Sequence, residues 1–120
     1  MPRPVILVAD DEVVIRKLVT LLLQAYRHIV LSASDGQEAL ELSRNYPGTI
    51  DQLITDVEMP RLSCMALCSH LLKERQGIKV IVMSGGDMSG IVRQNDHLPF
   101  LPKPFDREAL LARVRGILTA

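Results

Sequence analysis

The chain has 120 residues, nearly half of them apolar, which suits one compact core and leaves little room for a second. Its 14 basic residues balance its 14 acidic ones, so bulk charge provides no general attraction to nucleic acid or to an anionic membrane. No apolar run approaches membrane-spanning length, and the first one leads into Asp10-Asp11-Glu12, unlike a secretory signal. The expectation is one cytoplasmic domain over residues 1–120.

Short apolar runs alternate with helical periodicity along the whole chain, which is the pattern of βαβ units. Val5 to Ala9 predicts the first strand. Ile15, Leu18, Val19, Leu22 and Leu23 then mark one face of a helix ending near Tyr26. Ile29 to Ala33 predicts the second strand. Ser34-Asp35-Gly36-Gln37-Glu38 contains a capping box in either of two registers, and Tyr46-Pro47-Gly48 stops the helix that follows. The third strand ends at Asp56. The next helix includes Met65, Leu67, Cys68, Leu71 and Leu72, and Gly77 ends it. Ile78 to Met83 forms the fourth strand.

Between Ser84 and Phe100 there is room for a short fourth helix around Ile91 and Val92. Phe100 and Leu101 carry the fifth strand. The last helix starts at Asp106, a suitable N-cap, and runs through Leu110, Leu111, Val114 and Leu118. Five strands and five helices imply an α/β fold with a doubly wound parallel sheet, because parallel strands require right-handed crossovers.

Cys64 and Cys68 share a helix face but lack the CxxC spacing or accompanying His of a zinc site, so they read as reduced thiols. His28, His70 and His97 are scattered and suggest surface or packing roles.

The chemistry gathers at strand ends. The first strand runs into Asp10-Asp11-Glu12, the third into Asp56, the fourth into Ser84-Gly85-Gly86 and the fifth into Lys103-Pro104. Strand carboxyl ends share one edge of an open parallel sheet, and ligands bind there. Alone, Asp10-Asp11 fits a helix start, where acids are stabilising, as well as it fits a binding site. Joined to Asp56, the pair makes a hard-oxygen site suited to Mg2+. A neighbouring carboxylate can then act as a nucleophile toward phosphorus, with cations and a hydroxyl neutralising the phosphoryl oxygens.

The set Asp10-Asp11-Glu12, Asp56 with Met59-Pro60, Ser84-Gly85 and Phe100-Leu101-Pro102-Lys103-Pro104-Phe105 resembles the receiver domain of two-component response regulators, in the family's order. The resemblance implies a flavodoxin-like sheet of strand order 2-1-3-4-5. It implies that Asp56 accepts a phosphoryl group from a histidine kinase or histidine phosphotransfer protein. Asp11, Asp56 and the backbone carbonyl of Glu58 would bind Mg2+, with Asp10 acting through water. Ser84 and Lys103 would contact the phosphoryl group, Phe100 would change rotamer, and the Lys103–Pro104 bond would be cis.

Some positions depart from the family pattern. Cys64 stands where the family usually has Gly, and Arg61-Leu62-Ser63 replaces the more usual stretch, which leaves the path of the loop after Asp56 open. The run before Phe100 lacks the Gly-Ala-Asp-Asp of many DNA-binding regulators, and Met83-Ser84-Gly85 with a short fourth helix and Phe100-Leu101-Pro102-Lys103-Pro104-Phe105 is more similar to receivers of hybrid histidine kinases or stand-alone ones. Glu58 and Gly86 occupy the variable positions that tune phosphoryl lifetime in the family. The output expected is a downstream protein partner contacting the fourth-helix, fifth-strand, fifth-helix surface, with no direct nucleic-acid or membrane binding. The reading is a signalling switch that catalyses only its own phosphorylation and dephosphorylation. Two alternatives stand beside it: a phosphorylation-independent interaction module, which needs a broken pocket, and an Asp-nucleophile phosphatase, which needs Asp where Glu58 stands.

Overall fold

The computed structural model describes residues 3–57, 59, 61–84 and 99–118. Within them, β1 (Val5–Ala9), β2 (Ile29–Ala33), β3 (Gln52–Asp56), β4 (Lys79–Ser84) and β5 (Phe100–Pro102) form one sheet. All neighbouring strands are parallel and the order is β2-β1-β3-β4-β5. The helices are α1 (Val13–Ala25), α2 (Gly36–Asn45), α3 (Cys64–Glu74) and α4 (Arg107–Leu118). The helix expected around Ile91 and Val92 lies outside the described residues.

Side chains alternate across the sheet and separate two cores. On one face Leu7, Leu53, Val80 and Val82 pack with Ala39 and Leu40 of α2 and with Leu67, Cys68 and Leu71 of α3. On the other, Ile6, Val8, Ile54, Ile81 and Met83 pack with Val19 and Leu23 of α1 and with Leu110, Leu111 and Val114 of α4. The central strands β1, β3 and β4 are buried along almost their whole length because helices cover both of their faces.

Local chemistry sets the helix ends. The Asp35 carboxylate caps α2 by accepting from Glu38 N at 2.8 Å. Glu38 in turn reaches back to Ser34 N–H, one residue before the cap. Ser63 caps α3 and Asp106 caps α4, accepting from Ala66 N and Ala109 N. Gly77 has φ 89°, a left-handed conformation that glycine adopts without a steric penalty as the chain leaves α3.

The face marked by Ile15, Leu18, Val19, Leu22 and Leu23 turns only partly inward: Leu18 is 43% exposed, and Leu72 of α3 is 44% exposed. In α1 the apolar residues exceed what one face can bury. Val19 and Leu23 enter the core, while Val14, Leu18 and Leu21 form a second apolar stripe facing solvent. Cys64 and Cys68 are free and buried, and burial pushes the Cys68 thiol up to about 12, so it stays protonated.

Candidate functional site

β1 and β3 lie side by side, with Ala9 paired to Thr55, so Asp10 and Asp56 emerge together at the carboxyl edge of the sheet. Asp10 is fully buried and Asp56 is 6% exposed, while the adjacent Asp11 is exposed. One carboxylate oxygen from each of the three can lie within 4.8 Å of the others. On the far side, β5 delivers Lys103. Its backbone N–H donates to the Ser84 carbonyl at 2.7 Å, and its peptide bond to Pro104 is cis.

Lys103 Nζ lies 2.9 Å from Asp10 Oδ2, 3.1 Å from Glu12 Oε1 and 3.4 Å from Asp56 Oδ1. Burial opposes its charge most strongly, but the hydrogen bonds to Asp10 and Glu12 and the charges of Asp10 and Asp56 together outweigh it and hold Lys103 above the usual lysine value. Asp56 behaves differently. Burial and the neighbouring Asp10 charge push its carboxyl up to about 6, against the opposing influence of Lys103 and of Val57 N–H. The cluster therefore carries more negative charge than one ammonium neutralises. That surplus, offered by oxygen donors, fits Mg2+.

Ser84 is buried at the end of β4, one residue beyond Met83, the register partner of Asp56. Phe100, at the start of β5, is half-buried against the core beneath α2 and α3. Glu58 and Gly86 lie outside the described residues. Two contributors were not singled out from the sequence. Glu12 holds Lys103, a role its place in the acidic triplet could have suggested. Arg16 Nη1 donates to the Asp10 carbonyl at 2.9 Å, and no sequence signal marks it.

A family model described as the response regulator receiver domain matches residues 6–115. The chain belongs to that family. Response regulator MprA of Mycobacterium leprae is 35% identical over 119 residues, covering 94% of this chain and 50% of the relative. The "Probable transcriptional regulator ycf27" of Porphyridium aerugineum is 32% identical, covering 98% of this chain and 49% of its own length. The chain thus spans about half the length of these curated relatives.

Among solved structures, the receiver domain of the hybrid histidine kinase CckA is 36% identical with a TM-score of 0.76, covering 95% of this chain and 98% of that one. A response regulator receiver domain from Clostridium thermocellum reaches a TM-score of 0.86 at 28% identity, covering 97% of this chain and 94% of that one. Receiver domains are phospho-accepting switches of two-component signalling, and they work with histidine kinases and phosphotransfer proteins. They generally bind Mg2+ at an acidic pocket. Among the described residues no helix is long and apolar enough to cross a membrane.

Proposed function

We propose that Asp56 is the phospho-accepting residue and that Asp11, Asp56 and the Glu58 backbone carbonyl bind Mg2+, with Asp10 acting through water. The observation that carries this reading is the placement of Lys103 Nζ between Asp10 and Asp56, within a cluster whose charge it only partly balances. An Asp56 oxygen attacks phosphorus while the donor's bond to phosphorus breaks, and the leaving group departs with that electron pair. Lys103 is close enough to stabilise charge on the phosphoryl oxygens, and Ser84 supplies a hydroxyl at the same edge. When bound, Mg2+ supplies further charge neutralisation there. The domain catalyses only its own phosphorylation and dephosphorylation.

The donor is a histidine kinase or histidine phosphotransfer protein of the cytoplasm. Val14, Leu18 and Leu21 form an exposed apolar stripe on the helix that follows Asp10-Asp11-Glu12, suited to a partner's apolar helix face. Phosphorylation draws Ser84 toward the phosphoryl group and lets Phe100 turn inward, shifting populations at the surface around β5 and α4. Glu58 and Gly86 tune the phosphoryl lifetime. The output of this stretch of chain is a protein–protein contact and not nucleic-acid binding.

The deciding test is intact mass after incubation with acetyl phosphate and Mg2+. One phosphoryl adduct is expected in the native chain and none in Asp56→Ala. An adduct that persists in the variant refutes the assignment.

A further inference from the structure

The loop between β3 and α3 leaves Asp56 and, in the proposed function, presents the Glu58 carbonyl to Mg2+. Its described residues are tied to α2, an element that contributes no group to the pocket. Arg61 Nε and Nη2 donate to Asp35 Oδ2 and Oδ1 at 3.0 and 3.1 Å, a two-pronged pairing that fixes both position and orientation. The same Asp35 carboxylate caps α2 through Glu38 N, so its place is set before Arg61 arrives. One residue on, a Cβ at Gly36 would stand 2.1 Å from the Leu62 carbonyl oxygen; the first turn of α2 therefore touches the loop backbone directly. On the other side Met59 packs against the core beneath α2 and α3.

Arg61 itself has φ 71°, a conformation disfavoured for any residue with a Cβ. The pairing with Asp35 and the contact at Gly36 hold the backbone there despite that preference. Residue 61 is not glycine, which would adopt this φ without a steric penalty.

We infer that Arg61, held by Asp35 against the start of α2, is a positioning residue that sets the loop after Asp56 in the shape required for Mg2+ binding and phosphoryl transfer. This rests on the proposed phospho-accepting role. Losing a partner that orients a ligating group typically costs about 10–100-fold in metal affinity.

The test measures Mg2+ affinity by amide chemical-shift titration, and separately the rate of phosphoryl uptake from acetyl phosphate at low and saturating Mg2+. Arg61→Ala, and Asp35→Asn, which keeps the helix cap, should each weaken Mg2+ binding on the order of tenfold. Both should slow uptake at low Mg2+ and recover at saturation, with Arg61→Lys in between. Arg61→Gly separates backbone from pairing: it relaxes φ yet should still lose affinity. Melting curves identify a merely structural effect, which would lower stability and leave the Mg2+ titration unchanged. Native affinity and uptake in both Arg61→Ala and Asp35→Asn overturn the inference alone. A native chain that binds Mg2+ but takes up no phosphoryl group overturns the proposed function and leaves the affinity comparison to decide the loop's role. A native chain with no Mg2+ affinity overturns both.

Discussion

The two edges of the sheet both concentrate polar groups, and they treat them differently. At the amino edge, Arg75 closes α3 and spends its guanidinium on the end of α2. It donates to Ser43 Oγ at 2.8 Å, Ser43 O at 2.6 Å, Tyr46 O at 2.9 Å and Gly48 O at 2.8 Å. Nearby, Asp51 accepts from Val5 N at 2.7 Å and Arg44 pairs with Glu74. Donors there meet acceptors and little is left over. At the carboxyl edge, Lys103 serves Asp10, Glu12 and Asp56 together, and Asp56 is pushed up to about 6. Polar clusters that hold the fold satisfy themselves, whereas the cluster proposed to take the phosphoryl group keeps an imbalance that a ligand can settle.

Removing Lys103, the cation that bridges Asp10 and Asp56 at the unbalanced edge, should have the largest effect. Lys103→Met is expected to slow phosphoryl uptake from acetyl phosphate by about 10²–10³-fold, the range for losing one donor to developing oxyanion charge. Far-UV circular dichroism should show the fold retained. An uptake rate within about threefold of the native chain would place Lys103 outside the reacting centre, since a lost donor of this kind does more.

The complementary change at the self-satisfied edge acts on stability instead. Arg75→Ala leaves three carbonyls, those of Ser43, Tyr46 and Gly48, and the Ser43 hydroxyl without their charged donor. A loss of about 2–3 kcal/mol in urea unfolding is expected. At temperatures where the variant is folded, phosphoryl uptake should match the native chain. A large loss of uptake in folded Arg75→Ala would erase the distinction between the edges.

Asp56 makes the imbalance visible without any ligand. Its carboxyl ordinarily titrates at 3.8 and is raised to about 6 in the fold, so the folded state holds that proton more tightly than the unfolded chain. Its contribution is therefore greatest below pH 4 and is lost as pH rises to about 6, changing little above. Asp56→Asn removes the penalty and should stabilise the Mg2+-free domain by about 1–3 kcal/mol at pH 7, with no advantage at pH 4. Added Mg2+ should narrow the gap by stabilising only the native carboxylate. A variant less stable than the native chain at pH 7 without Mg2+ would contradict this account.

The strands and the site edge were legible because each central strand carries a short apolar run, Val5–Ala9, Leu53-Ile54 and Val80–Met83, that gives way to a charged or hydroxyl residue. Asp10, Asp56, Ser84 and Lys103 announce themselves by that contrast. The face of α1 was less legible. Val13, Val14, Ile15, Leu18, Val19, Leu21, Leu22 and Leu23 offer more than one helical stripe, and periodicity cannot choose which meets the sheet. The Arg75 clamp was illegible for a different reason. Its partners are mostly backbone carbonyls, which every residue carries, so no pattern of side chains marks them. The pairing of Arg61 with Asp35 joins residues 26 apart in sequence across a connection that only the folded sheet brings together.

One residue departs from the rule that the amino edge satisfies itself. Gln52 begins β3 fully buried, and among the described residues neither its amide oxygen nor its amide nitrogen has a hydrogen-bond partner. It lies between Ile6 and Lys79 in the sheet register, far along the strand from Asp56. A buried amide without a partner costs about 1–3 kcal/mol, and an apolar side chain of similar length avoids that penalty. Part of the gain is offset by imperfect repacking, so Gln52→Met is expected to stabilise the domain by about 1 kcal/mol in urea unfolding. Phosphoryl uptake should be unchanged, since the residue sits at the opposite end of the strand from the pocket. Destabilisation by Gln52→Met would mean that the amide is satisfied, by an ordered water or by residues beyond those described, and would bring Gln52 back under the rule.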